Sequence, residues 1–290
     1  MLPEWLSVRP ASAEKYAAIK ERINGMGLHT VCVEARCPNI TECWSGGTAT
    51  FMILGNLCTR GCRFCAVSKM AKGSAVDKEE PWKLASVIND WGLEYVVITS
   101  VARDDLEDQG SGHFADCIRA IKEANPGIVI EVLIPDFRGD YALLKNVADA
   151  GPDVIGNNIE TVERLSSSVR DRRADYRQSI NLLRNVKLID NRIYTKSALM
   201  LGIGERRDEV IASMRDLRNA GVDFLAIGQY LKPKGHHVEV SEYIRPEVFD
   251  EYRSVGLGLG FRYVAAGPFV RSSYMAGEHF IKSMISSGRG

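Results

Sequence analysis

From Thr48 onward, short apolar runs alternate with longer stretches in which apolar residues return every three or four positions. The apolar runs are strand-sized: Thr48–Leu54, Tyr95–Thr99, Ile128–Ile134, Val154–Ile155, Ile193–Met200, Phe224–Ile227 and Tyr263–Ala266. Between most of them the spacing predicts amphipathic helices over Phe114–Ala124, Tyr141–Ala150, Tyr176–Asn185, Arg207–Ala220 and Pro246–Val255. Strands that are apolar on both faces and alternate with helices predict an α/β fold with a parallel sheet. Six or seven such units in about 220 residues fit a complete or partial (β/α) barrel better than an open doubly wound sheet. Either architecture puts chemistry at the carboxyl ends of the strands. Ahead of this region, Ala11–Ile23 has helical spacing closed by Gly25-Met26-Gly27, and residues 31–47 have no period and read as loop. The expected organisation is an N-terminal extension over 1–47, a barrel over 48–270 and a tail over 271–290.

Composition narrows the function. The chain has 290 residues, 45% of them apolar and 26% charged, with 37 basic against 37 acidic residues. A zero formal balance gives no global field to attract nucleic acid or an anionic membrane, although a local basic patch would still dock an acidic partner. No apolar stretch is long enough for a membrane helix. The start contains Glu4 and lacks a signal-peptide core. The protein therefore reads as cytoplasmic, or as working in an organellar matrix or stroma. Disulfides are not expected there, yet there are seven cysteines, and all but Cys117 fall between Cys32 and Cys65. Such clustering points to metal.

Cys58, Cys62 and Cys65 follow the first barrel strand directly, in the segment Cys58-Thr59-Arg60-Gly61-Cys62-Arg63-Phe64-Cys65. Three thiolates at this spacing suit one iron–sulfur cube and leave its fourth iron open, the mark of a catalytic metal site. Gly61 is expected to let the loop turn tightly. A zinc site would want a fourth ligand close by, and a redox dithiol would have no use for Cys58. The pattern Cys-x-x-x-Cys-x-aromatic-Cys after a first strand resembles the radical S-adenosylmethionine enzymes. The resemblance implies that S-adenosylmethionine chelates the open iron and is cleaved reductively to a primary carbon radical. Phe64 fits the aromatic position and is counted among the cofactor contacts.

Cys32, Cys37 and Cys43 form a second trio just before the barrel. They suit a further cluster with a different role, whether electron relay, substrate binding or sulfide donation. Zinc with His29 as fourth ligand, or plain buried thiols, are the alternatives. The string from Cys32 through Cys37-Pro38-Asn39 to Cys43-Trp44, then Gly47 to Gly55, then the second trio, resembles the lipoyl synthase family. The likeness continues through Thr99–Leu106, Asn158–Thr161, Lys196–Glu205, Gly228–Leu231 and Arg271–Tyr274. It implies insertion of sulfur at C6 and C8 of an octanoyl chain carried on a protein lysine. The cofactors would be S-adenosylmethionine and two [4Fe-4S] clusters, the auxiliary one consumed as sulfur source. The implied partners are an octanoylated carrier domain (a glycine cleavage H protein or a 2-oxoacid dehydrogenase E2) and a low-potential donor such as ferredoxin or flavodoxin. Ser273 would complete the auxiliary cluster, with Ser272 taking its place if the register shifts by one; an ordinary polar tail is the alternative. The chemistry agrees with this. An unactivated methylene has no acidic proton, so a base is useless and a radical is needed.

Other residues carry weaker signals. Ser100, Glu160 and Lys196 are expected at strand ends as cosubstrate contacts, or as satisfied polar residues at the rim. Gly202-Ile203-Gly204 would let the backbone approach the adenine, or is a turn. Arg103, Asp104 and Asp105 form a charged loop beside the expected site, with Asp105 equally suited to capping the next helix. His236-His237 reads as a solvated loop and Cys117 as a buried thiol. A non-catalytic two-cluster protein is the competing class, disfavoured because carriers usually saturate their irons.

Overall fold

The computed structural model describes residues 3–6, 21, 23, 25–34, 37, 39, 40, 43, 50–273, 281, 284 and 285. The expected helix over Ala11–Ile23 lies almost wholly outside them; Glu21, Ile23 and Gly25 are helical. The chain divides into two compact units. One holds the described residues from Glu21 to Arg60 together with Ala66–Val154. The other holds Gly61–Cys65, the described residues from Ile155 onward and the Glu4–Leu6 turn.

The first unit opens with β1 (His29–Thr30) and a helical turn, α1 (Val31–Glu34). β1 pairs antiparallel with β2 (Thr50–Ile53). Two-residue β3 (Leu57–Cys58) and β4 (Ser68–Lys69) pair parallel with each other. Then come α2 (Glu80–Asp90), β5 (Tyr95–Ser100), α3 (Ser111–Ala124), β6 (Val129–Leu133) and α4 (Tyr141–Asp149). The strand order is β1-β2-β5-β6, with β2, β5 and β6 parallel. The units divide within β7 (Val154–Gly156). The second unit continues with α5 (Glu163–Val169), α6 (Tyr176–Ile189), β8 (Tyr194–Leu201), α7 (Arg207–Asn219), β9 (Phe224–Gln229), α8 (Pro246–Gly258) and β10 (Tyr263–Gly267). Its order is β7-β8-β9-β10, with β8, β9 and β10 parallel. The fold is α/β with mostly parallel strands and is not a closed barrel, as expected of the partial form.

The apolar runs form strands because both faces are covered. All of β2 and β9 is buried, as is β5 up to its last residue. The helices show one buried stripe each: α3 turns Phe114, Ala115, Cys117, Ile118 and Ile121 inward. Asp140 starts α4 by accepting from the amides of Ala142 (2.8 Å) and Leu143 (3.2 Å), and Asp175 starts α6 through Gln178 N–H (3.0 Å). The pattern missed α2, whose Pro81 sits where a helix tolerates proline, and the short α5. It also missed β1 and α1 inside the expected loop, because elements this short have no period to display.

Gly228 in β9 shows how tightly the tail leaves the fold. A methyl group there would lie 2.0 Å from the Val270 carbonyl oxygen, which is backbone and has little room to yield. Gly228→Ala is expected to destabilise the chain by roughly 1–3 kcal/mol through overpacking, read as a lower urea midpoint at unchanged slope.

Candidate functional site

β2 ends at Leu54, whose backbone is left-handed at φ +67°. A leucine does not adopt this conformation unaided, and its peptide groups are gripped on both sides. Its N–H donates to Glu80 Oε2 at 2.9 Å, and Arg103 Nη1 donates to its carbonyl at 3.3 Å. Glu80 is held by His113 Nε2 at 2.6 Å, and Arg103 by both carboxylate oxygens of Asp105 at 2.9 and 3.0 Å. Asp105 also accepts from Gly73 N–H at 3.2 Å. It therefore orients Arg103 and does not cap α3, whose N-cap position is held by Gly110. The sequence could not separate these roles, since both need a carboxylate in the same loop.

Cys58 follows, half-buried, at the end of β3. Its carbonyl accepts from Met70 N–H (3.0 Å), and its Sγ lies 3.4 Å from the Arg60 N–H that donates to it. Thr59 and Arg60 are locked beneath it. The Thr59 hydroxyl donates to the Ala102 carbonyl at 2.9 Å, and Asp104 N–H donates to the Thr59 oxygen at 3.0 Å. Arg60, only 7% exposed, forks onto Asp104 at 2.9 and 3.0 Å and reaches Asp136 at 2.7 Å. Arg138 adds a contact to Asp104 at 2.9 Å. Burial pushes the Asp104 carboxyl upward, but the hydrogen bonds and charge of Arg60, with Thr59 and Arg138, outweigh it and hold Asp104 far below the usual range. This network carries no metal-ligand signal, and sequence reading noticed Asp104 only as part of a charged loop.

In the other unit, Gly61–Cys65 lies along residues 168–171 and 237–238. Gly61 N–H donates to Asp171 Oδ2 at 2.6 Å, and Arg63 N–H to the Val169 carbonyl at 2.8 Å. Arg63 Nη1 donates to the Ser168 carbonyl at 3.0 Å, while Val238 N–H donates to the Arg63 carbonyl at 3.1 Å. His237 Nδ1 is also 3.1 Å from that carbonyl. Asp171 N–H donates to Cys62 Sγ at 3.3 Å. Phe64 packs against Val169, Ile203 and Tyr230. Gly61 is not in the left-handed region, and a methyl there would meet Asp171 Oδ2 at an ordinary 3.5 Å. The expected tight turn at Gly61 is corrected accordingly: the loop is shaped by its partners.

The first trio behaves differently. Cys32 lies buried in α1; Cys37, half-buried, donates its N–H to the Cys32 carbonyl at 3.0 Å; Cys43, buried, donates to Asn39 at 3.0 Å. His29 Nδ1 faces Glu34 at 3.3 Å. Among the described residues no group of three or more His, Cys, Asp or Glu side chains is gathered closely enough for one metal ion. A cube takes one thiolate per iron, so its ligands stand apart. The donor set and the N–H groups aimed at Cys58 and Cys62 fit such a cluster.

Ser100 ends β5, and its hydroxyl oxygen is buried with no hydrogen-bond partner among the described residues, which suits a bound cosubstrate. Glu160 is left-handed at φ +65° and bridges Leu199. Burial raises its carboxyl above the usual range, with Arg170 and Asn158 pulling the other way. Lys196 is the third residue of β8 and 6% exposed, because the strand runs on to Leu201; it is not at a carboxyl end. Gly202 serves the chain's own turn. Its N–H donates to Glu205 at 2.6 Å, and a methyl would come within 2.3 Å of both Gln229 and the Glu242 carbonyl. Ser272 and Ser273 are half-buried, and Tyr274 lies outside the described residues. His236 is exposed. Cys117 is fully buried, and burial pushes its thiol up.

Residues 52–228 match the model of the radical SAM superfamily. The chain is 53% identical to a lipoyl synthase of Anaeromyxobacter dehalogenans (strain 2CP-C), over 98% of this chain and 97% of that protein. It is 52% identical to a mitochondrial lipoyl synthase of Vitis vinifera, over 99% of this chain and 75% of that one. Among solved structures, methylornithine synthase aligns with a TM-score of 0.57 at 15% identity, over 90% of this chain and 80% of that one, a likeness of fold alone.

The Arg60 network gives a pH signature. Asp104 sits below its unfolded value of about 4, so its contribution is complete above that pH and is lost as pH falls toward the folded value. Asp104→Asn is expected to lose about 3–5 kcal/mol at neutral pH, as for a broken buried pair. The deficit should narrow as pH falls from about 5 toward 2, read from urea midpoints across that range.

Proposed function

The chain belongs to the lipoyl synthase family within the radical S-adenosylmethionine superfamily, and on that premise we propose which residues carry its reaction. It is a sulfurtransferase that uses S-adenosylmethionine and iron–sulfur clusters to place two sulfur atoms, at C6 and C8, on a protein-bound octanoyl chain. Bound clusters would supply the electron that releases a primary carbon radical and the sulfur that replaces each abstracted hydrogen.

The chain's own residues bind, orient and keep water out. Cys58, Cys62 and Cys65 would hold the radical-generating cluster, each to one iron. The spacing of the three thiols supports this most directly, and the N–H groups donating to Cys58 and Cys62 add to it. Cys32, Cys37 and Cys43 would hold the auxiliary cluster with Ser273, whose alkoxide binds iron less softly than thiolate and suits a cluster that comes apart. Ser100 and Glu160 would contact S-adenosylmethionine: the orphaned hydroxyl of Ser100 needs a partner, and a carboxylate suits its amino group. Phe64 would flank the cofactor as part of the apolar wall formed with Ile203 and Tyr230.

The substrate is an octanoylated carrier protein. We assign it to a glycine cleavage H protein or a 2-oxoacid dehydrogenase E2 domain, with ferredoxin or flavodoxin as reductant. No helix among the described residues is long and apolar enough to cross a membrane. The cytoplasm, or an organellar matrix as in the mitochondrial plant relative, is the proposed setting.

Two measurements test the assignment. Anaerobically reconstituted protein with reductant, S-adenosylmethionine and octanoylated carrier should yield 5′-deoxyadenosine and a carrier heavier by two sulfurs, as the dithiol; an unchanged carrier mass would overturn it. Iron analysis should give about eight irons per chain, falling to about four in Cys37→Ala.

A further inference from the structure

Gly61–Cys65 is held along residues 168–171 by the main-chain bond from Arg63 N–H to the Val169 carbonyl and by backbone–side-chain contacts, and one side chain stands at the centre of these. Asp171 acts on this loop twice. Its Oδ2 accepts the Gly61 N–H at 2.6 Å, fixing the Arg60–Gly61 peptide, one link ahead of the peptide that leads into Cys62. Its own N–H donates to Cys62 Sγ at 3.3 Å. The carboxylate is oriented in turn: Arg173 donates to Oδ1 from its backbone N–H (3.0 Å) and Nε (2.8 Å), and to Oδ2 from Nη2 (3.1 Å). Both carboxylate oxygens are thus filled by donors, and this fixes the direction in which Asp171 faces the loop.

We infer that Asp171 is a positioning residue for Cys62: its carboxylate holds the backbone at Gly61, immediately ahead of the ligand, and its amide polarises the ligand's sulfur. The inference rests on the reading of Cys62 as a cluster ligand. Physically, a thiolate that accepts an N–H bond has less electron density for iron and a fixed direction of approach, two levers by which a protein tunes a cluster. Asn is a near-isosteric probe. It has one acceptor oxygen where the site presents donors to two, so it keeps the space and leaves one side of the clamp facing a donor with a donor.

The experiment uses the full chain carrying Cys37→Ala, so that only the radical-generating cluster is observed. Iron loss to EDTA is followed anaerobically, and the reduced protein is examined by electron paramagnetic resonance with and without S-adenosylmethionine. Asp171→Ala is expected to lose iron roughly tenfold faster, the worth of one charge-assisted hydrogen bond, and to show an altered spectrum. Asp171→Asn should fall between it and the parent. Asp190→Ala, which removes an ion pair and a backbone N–H contact with Arg192 at the end of α6, should match the parent in both readouts. Parent-like iron loss and spectra in Asp171→Asn overturn the inference even if the alanine variant does not fold. So does equal acceleration in Asp190→Ala, which would mean general loosening. If Cys62→Ala keeps its full iron, it is the ligand reading that fails, and the two failures stay distinct.

Discussion

A sulfur ligand grips iron only as firmly as the backbone behind it stays still. From Leu54 to Cys65 this chain solves that problem residue by residue. The left-handed Leu54 has its N–H taken by Glu80 and its carbonyl by Arg103. Thr59 and Arg60 are fixed to Ala102, Asp104 and Asp136. Gly61 and Arg63 are fixed to Asp171, Val169 and Val238. Buried peptide groups must be paired in any protein. Here the pairing also fixes where the thiols start from.

The groups that do this are charged and buried, which is an expensive way to hold a loop. Arg60 with Asp104 and Asp136, and Arg103 with Asp105, lie almost wholly out of water. Apolar replacements of similar volume are often as stable as buried ion pairs. What an apolar side chain lacks is direction. A guanidinium forked onto a carboxylate admits one orientation, and its remaining donors then fall on defined acceptors. Beside a loop proposed to hold a cluster, orientation is the scarcer property, which gives a physical reason for charge where packing would have served stability.

Much of this was legible from the residues. Strands buried on both faces had to be written as apolar runs, so β2, β5, β6, β8 and β9 stood out, as did the half-covered β10, each extending one or two residues beyond or short of its run. The cysteines stood out as candidate ligands because thiols cluster for few other reasons in such a chain. The supports were not. Asp171, His237 and Val238 sit more than a hundred residues from the loop they hold, and one sequence has no mark for a contact made through a main-chain amide. Lys196 was misplaced because an apolar run shows that a strand exists without showing which end it is near. Gly61 was misread for a related reason: a glycine in a tight motif suggests a turn, while its backbone here is ordinary and its neighbours do the shaping.

That dependence on partners bears on anyone who would graft this cysteine loop onto another scaffold. The octapeptide from Cys58 to Cys65 carries the proposed ligands but little of its own shape. Transplanted alone it would arrive as a floppy chelator, soft and indifferent to which metal fills it. The portable module is discontinuous: the ligand loop, the rail at 168–171 and the backing strip at 237–238, copied as a path in space and free to vary in sequence wherever only main chain makes the contact.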